Sequence, residues 1–237
     1  MAELFPDPLI HIGHDEPPRG CWMEDAELLE RAKQMGFPGL GGLQRHFLQR
    51  VMQMVERLPF GKEPIVWAEP ALSEMLFVND SKHDGHGPIT QSWLDVDHAP
   101  ILAQRGFRVI ESFGWYLDGL PGSASRSWQH YYERNPSRLL DPEVSKRQVL
   151  GGEACAWELD ESTAFYSAEE RQLVFRRFGE RVWHNLVPVA ERLWSRTAPE
   201  KADDQVTARV ASMLERLQIT IGIENVVPLE LAHLLYS

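Results

Sequence analysis

The chain has 237 residues, 43% of them hydrophobic, enough to form one large or two small packed domains. Its formal net charge of -11 excludes a nucleic-acid polyanion as partner, because phosphate binding needs clustered Lys and Arg. Two cysteines, Cys21 and Cys155, exclude a disulfide framework and a four-thiolate zinc site, and leave open a single bridge between them.

The first predicted element is the short apolar run Leu9-Ile10-His11-Ile12-Gly13, entered through Pro6 and Pro8 and left through Pro17-Pro18. It predicts a buried strand of about five residues. Side chains alternate along a strand, so His11, Gly13 and Asp15 share one face while Glu16 has the opposite parity. Asp15 and Glu16 serve one pocket only if the chain leaves the strand and curls into a loop, as at the carboxyl end of a barrel strand. Two carboxylates that close split in acidity, which leaves one fit to be a general acid. An isolated Asp-Glu pair is usually a solvated turn, so this pair gains its weight from residues further along the chain.

Amphipathic helices are predicted over 24–35 and 43–58, the second with Phe47, Leu48, Val51, Met54, Val55 and Leu58 on its apolar face. Short strands are predicted at 65–69, 89–93, 108–112 and 149–155, with a helix over 99–105 and an irregular segment over 120–145. Residues 168–195 and 203–217 read as helices. Strands alternating with helices at this spacing predict parallel β/α units and an α/β class. An eight-stranded barrel takes about 250 residues and needs all its strands to close. The five strands countable here therefore predict an incomplete (β/α)8 TIM barrel, strands 4 to 8 with their helices, forming one domain over 1–237 with no second domain. An open doubly wound sheet is the alternative, but it would bind at a glycine-rich turn that this sequence lacks.

Trp67, Trp93 and Trp157 each fall at the carboxyl end of a predicted strand. Tyr116 and Asp118 lie just beyond the fourth strand and Glu158 just beyond the fifth, so all of them belong to one rim of a barrel. Aromatic faces suit the C–H faces of a sugar and carboxylates accept from its hydroxyls, so the rim reads as a carbohydrate pocket. Core packing is the commoner fate of any single Trp, and Trp22, Trp183 and Trp194 are assigned to it, with Trp115 and Trp128 undecided. His11-x-x-His14 looks like a metal-ligand pair, but on a strand the two side chains face opposite ways, and Gly13 with its flanking prolines discourages a helix that would align them. No metal or other cofactor is expected, and His14 is assigned to a loop or to packing on a helix.

With these motifs in hand, the chain resembles the C-terminal part of the catalytic domain of family 20 glycoside hydrolases, the β-N-acetylhexosaminidases. The matching segments are 11–16 (HIGHDE), 65–69 (IVWAE), 91–93 (QSW), 115–118 (WYLD), 151–157 (GGEACAW) and 189–195 (VAERLWS), in the family's order and with similar spacing. The resemblance implies a (β/α)8 barrel that removes terminal N-acetylhexosamine from glycoconjugates or chitin-like oligomers. It also implies a mechanism in which the substrate's own 2-acetamido oxygen attacks the anomeric carbon. Glu16 matches the general acid and base, expected to sit buried beside Asp15, and Asp15 matches the residue that stabilises the oxazolinium intermediate. Tyr116 would donate to the acetamido oxygen, and Trp67, Trp93 and Trp157 would wall the acetamido pocket. Asp118 and Glu158 resemble the acids that bind the far hydroxyls. Glu158 follows Trp157 directly where the family usually has one residue between, which makes Asp160 the other candidate.

Two departures from the family pattern carry expectations of their own. The family generally has Gly-Gly before the Asp-Glu pair, whereas His14 stands at the second position here, losing a glycine's backbone freedom and, by parity, pointing away from the barrel interior. No segment matches the family's early strands, which carry an Arg and further Asp and His contacts. The isolated 237-residue chain is therefore expected to show little or no turnover, with an inactive fragment or a sugar-binding remnant as the alternative, or to complete its barrel as a homo-oligomer. A metallohydrolase is the third and weakest reading. No membrane span is expected, and the first residues lack the basic and apolar pattern of a secretion signal. Relatives are lysosomal, secreted or bacterial, and the compartment stays undecided.

Overall fold

The computed structural model describes residues 4–37, 39–59, 61–78, 88–117, 127–157, 166–195 and 198–221. In chain order the elements are β1 (Leu9–His11), α1 (Arg19–Glu24), α2 (Ala26–Gln34), α3 (Gly39–Glu56), β2 (Glu63–Trp67), α4 (Glu69–Leu72), β3 (Ile89–Ser92), α5 (His98–Gln104), β4 (Arg108–Glu111), α6 (Trp128–Tyr132), α7 (Pro142–Gln148), β5 (Val149–Gly152), α8 (Ala168–Trp194) and α9 (Asp204–Ile221). They fall into two compact units, the first formed by Met1–Glu111 and Leu139–Leu150, the second by Ser112–Arg138 and Gly151–Ser237.

Parallel pairing organises the first unit. The sheet runs in the order β1-β2-β3-β4-β5, with His11 opposite Ile65, Trp67 opposite Gln91 and Ser92 opposite Glu111. Sequential strands that are also parallel neighbours need a crossover between each pair, which the helices supply. This is the α/β arrangement of consecutive units of a (β/α)8 barrel. Val66 and Val109 point from the sheet into a core completed by Leu48 of α3, Ala99, Leu102 and Ala103 of α5, and Phe107. At the amino ends of the strands the charges are paired: Arg108 with Glu63, and the buried Lys62 with the carbonyls of Phe5 and Asp7.

Several boundaries differ from the sequence expectation, each for a local reason. The first strand is three residues rather than five because Gly13 (φ 70°) and His14 (φ 78°) turn the chain out of extended geometry. The second ends at Trp67, because Pro70 fits the first turn of a helix and draws Glu69 into α4. The helix expected over 24–35 is divided at Asp25, whose side chain accepts from Leu28 N–H at 2.9 Å and caps α2. The segment 120–145, expected to be irregular, contains α6 and the start of α7; Asp141 caps α7 and Pro142 opens it. On α3, Leu48 and Val55 are buried as expected, but Phe47 and Met54 are 58% and 57% exposed.

The second unit is built on α8, which starts with a reciprocal capping box between Ser167 and Glu170. Trp128 and Tyr132 of α6, Val187 of α8, and Val206, Val210 and Leu214 of α9 form one buried cluster. Trp115, Leu117, Tyr131 and Val189 form another. Both undecided tryptophans, Trp115 and Trp128, are thus core residues. Trp183 packs against the first cluster, but Trp194, expected to pack, is 89% exposed because α8 ends at this residue and Ser195 is already extended. Gly152 has a steric reason to be glycine: a Cβ there would lie 1.9 Å from Cζ3 of Trp115. Both cysteines are free thiols.

Candidate active site

Beyond β1 the chain stays beside β2 for two more hydrogen bonds, Ile12 N–H to Ile65 O at 2.9 Å and Trp67 N–H to Gly13 O at 3.0 Å. The left-handed pair Gly13-His14 then ends the strand alternation and delivers Asp15 and Glu16 together into the loop. A histidine in this region is uncommon, and the conformation is held by stacking of its ring on Phe47 of α3, centroids 5.9 Å apart and planes at 15°. Burial pushes the His14 imidazole below its ordinary pKa, against the pull of Asp15, so the neutral ring is favoured. His11 has different partners: its Nδ1 accepts from Gly13 N–H at 3.0 Å and its ring meets Trp67 edge-on at 4.9 Å. Among the described residues no three His, Cys, Asp or Glu side chains converge as a metal-ligand set.

Trp67 closes β2 and Trp93 follows β3 directly, and their rings meet edge-on with centroids 6.1 Å apart and planes at 63°. The Trp93 indole N–H donates to Oε1 of Glu69 at 3.0 Å. Sequence reasoning does not single out Glu69 as a site residue, because it reads as the end of a strand rather than the first residue of α4. A signal is nevertheless present, since an acid followed by Pro70 is a helix start. Burial pushes its carboxyl above the ordinary glutamate range; Asp15 and Glu16 push the same way, and the hydrogen bonds from its own backbone and from Trp93 oppose them. Asp15 and Glu16 themselves are exposed, so the burial expected for Glu16 falls on Glu69 instead. The reason is again the Gly13-His14 turn, which carries the pair past the sheet before their side chains project.

A cleft of about 460 Å³ opens beside these groups, lined among others by Glu16, Arg19, Gln44, Glu69, Ser73 and Leu94. Arg19 donates to the buried Gln44 at 3.2 Å, so its charge borders the cleft in a fixed place. Among the described residues no salt bridge reaches Asp15, Glu16 or Glu69. The arrangement suits a hydroxyl-rich ligand: carboxyl acceptors with Arg19 and Gln44 as polar neighbours, beside the apolar Pro17, Leu72 and Leu94.

The second unit holds the remaining described candidates. Tyr116 forms a parallel bridge with Cys155, reinforced by Leu117 N–H to Cys155 O at 2.7 Å and Cys155 N–H to Trp115 O at 3.0 Å. The Tyr131 hydroxyl donates to Tyr116 O at 3.5 Å. Trp157 lies just past this bridge and is 49% exposed. Asp118, Glu158 and the alternative Asp160 lie outside the described residues.

A family profile described as glycosyl hydrolase family 20, catalytic domain, matches residues 1–197. The chain belongs to glycosyl hydrolase family 20. It is 30% identical to the β-hexosaminidase subunit beta of Sus scrofa over 82% of this chain and 33% of that protein, and 29% identical to the subunit beta of Homo sapiens over 91% and 36%. The family 20 chain thus spans about a third of the length of the relatives it matches. Its fold is similar to that of a chitobiase from Flavobacterium johnsoniae (TM-score 0.66, 24% identity, 94% of this chain and 31% of that one). It is also similar to an exo-β-N-acetylglucosaminidase from Vibrio harveyi solved with N-acetylglucosamine (TM-score 0.69, 22% identity, 94% and 33%). The expectation of a partial TIM barrel of this family therefore holds.

Proposed function

We propose that this family 20 chain is catalytic-domain sequence of a β-N-acetylhexosaminidase, a glycosidase that removes terminal non-reducing N-acetylhexosamine with retention of configuration. The observation that carries the reading is the adjacent Asp15-Glu16 pair, exposed past the carboxyl end of β1 in the unit that also holds the Trp67–Trp93 edge pair. The names of the relatives and of the two similar structures support the same class of substrate. The match over 1–197 supports reading both compact units as one catalytic domain.

In the proposed reaction the acetamido carbonyl oxygen of the substrate attacks the anomeric carbon as the glycosidic C–O bond breaks. Glu16 gives its proton to the leaving oxygen. Asp15 accepts from the acetamido N–H and offsets the positive charge of the resulting oxazolinium ion. Glu16 then takes a proton from the water that opens this ring, and two inversions give net retention. Tyr116 donates to the acetamido oxygen, Trp67, Trp93 and Trp157 orient the acetamido group, and Asp118 and Glu158 accept from distal hydroxyls. Fixing an internal nucleophile against the anomeric carbon removes the entropic cost of bringing a separate one. No metal or cofactor enters this scheme.

The test is hydrolysis of a chromogenic N-acetyl-β-glucosaminide by the purified chain, with Glu16→Gln as control and size-exclusion chromatography alongside. Activity that disappears in Glu16→Gln supports the assignment, and elution as a multimer would add self-association. A folded chain that binds chitobiose without turnover would instead establish a sugar-binding remnant.

A further inference from the structure

Glu69 has a position that the proposed chemistry does not use. It starts α4 two residues beyond Trp67, lines the cleft together with Glu16, and accepts the Trp93 indole N–H on Oε1 at 3.0 Å. Its other oxygen, Oε2, is shielded from solvent and has no hydrogen-bond partner. A buried carboxylate oxygen in that situation is costly when charged and tolerable when it carries a proton.

We infer that Glu69 is a positioning residue for the proposed hydrolysis: its carboxyl fixes the plane of Trp93 through Oε1, and so sets the shape of the aromatic wall that Trp93 makes with Trp67. The inference rests on the functional reading above. A carboxyl protonated on Oε2 still accepts from the indole on Oε1, so the contact that orients Trp93 survives in the neutral acid, whereas the ion accepts more strongly but leaves a charge on the shielded Oε2. The groups that act on it are Asp15 and Glu16 from the loop after β1 and Trp93 after β3, with Arg19 of α1 bordering the same cleft and tied to Gln44. Burial and both neighbouring acids favour the proton. Ionised Glu69 would add a negative charge to the cleft it lines with Glu16, and Trp93 would then follow the protonation of Glu69.

The experiment is a pH titration of the Trp93 indole N–H resonance by ¹⁵N NMR on the full chain, assigned with Trp93→Phe. The resonance should move with a midpoint above the ordinary glutamate range. In Glu69→Gln it should stay at its hydrogen-bonded position and stop titrating, because the amide oxygen still accepts but carries no proton. In Glu69→Ala it should shift toward the value of a solvated indole. In turnover of the chromogenic glucosaminide, Glu69→Ala should raise KM about tenfold with a smaller effect on kcat, and Glu69→Gln should restore KM. An indole resonance indifferent to pH or to Glu69→Ala overturns the inference whether or not the chain turns over substrate. A folded chain that binds chitobiose without turnover would replace the enzyme reading with a sugar-binding remnant, while the resonance still decides the Glu69 contact, so the two failures are separable.

Discussion

The two ends of the sheet in the first unit treat charge in opposite ways. At the amino ends, Arg108 is paired with Glu63 and the Lys62 ammonium is taken up by two carbonyls, so each buried charge has a partner. At the carboxyl ends, Asp15, Glu16 and Glu69 stand near one another with no salt bridge among the described residues, and one of them is half-buried. The same strands therefore carry a satisfied end and a frustrated one. A fold has no structural reason to collect carboxyl groups around a cleft, and in β/α barrels chemistry belongs to the carboxyl face and stability to the amino face. The contrast separates residues that hold this molecule together from residues that would act on a ligand.

The largest effect that could break this contrast is at the carboxyl end. Glu16→Gln should lower turnover by about 10²–10⁴-fold, the usual weight of general acid–base catalysis, and leave the thermal midpoint unchanged. At the amino end, Arg108→Met should do the reverse. It removes the part-buried ion pair with Glu63 and should lower stability by about 1–3 kcal/mol, read by urea titration, while turnover per folded molecule is kept. If Glu16→Gln unfolds the protein, or Arg108→Met lowers kcat of the folded fraction, the division of labour is wrong.

Gly152→Ala sharpens the same point in the second unit, where the new Cβ would meet the Trp115 ring. Overpacking of this kind should destabilise by about 1–3 kcal/mol, with Gly151→Ala as a comparison that meets no neighbour but must adopt φ 145°.

A pH effect of intermediate size is expected from Glu69 and His14. For Glu69 the folded pKa is raised, so the folded state holds the proton longer than the unfolded one, and stability falls as pH rises from the ordinary glutamate value through the raised one. For His14 the folded pKa is lowered, so the unfolded state binds the proton first, and stability falls as pH drops below the ordinary histidine value. The two contributions therefore oppose each other over the weakly acidic range, where Glu69 costs stability as pH rises and His14 costs it as pH falls. Glu69→Gln should remove the fall in stability with rising pH that starts at the ordinary glutamate value, and His14→Asn the fall with dropping pH that starts at the ordinary histidine value.

The smallest expected effect is that of His14→Gly. It relieves the left-handed backbone and gives up the stack on Phe47, terms of about 1 kcal/mol each, so the net change should stay within about 1 kcal/mol of zero. A loss well beyond that would mean that the His14 ring, rather than the loop backbone, holds Asp15 and Glu16 in place.

Much of this architecture is legible in the sequence. The alternation of apolar runs with amphipathic helices marks five parallel strands in the right order, and Trp67 and Trp93 fall at their carboxyl ends with the Asp15-Glu16 pair. What stays hidden depends on backbone angles and burial. Strand parity cannot anticipate that Gly13 and His14 both turn left-handed, so neither the length of β1 nor the exposure of Asp15 and Glu16 can be read from it. Trp115 is undecidable from sequence because its burial is set by a contact with Gly152, 37 residues away in the chain. Glu69 escapes notice because one small boundary shift moves it from strand to helix, and only in the helix does its carboxyl reach Trp93.

Lys62 illustrates how far a small contact reaches. Its ammonium grips the carbonyls of Phe5 and Asp7, and Glu63 N–H adds a bond to Pro8 O at 2.8 Å, all before β1 has begun. A strand of three residues has few rungs of its own to define how it lines up with its neighbour. The clamp works like the zero mark of a ruler: with the origin pinned at one end, the count of residues to the other end is fixed. A slip by one position would send Asp15 and Glu16 out of the loop at a different height. Together with the Gly13-His14 turn, a lysine at the opposite end of the sheet thus sets where the acids surface.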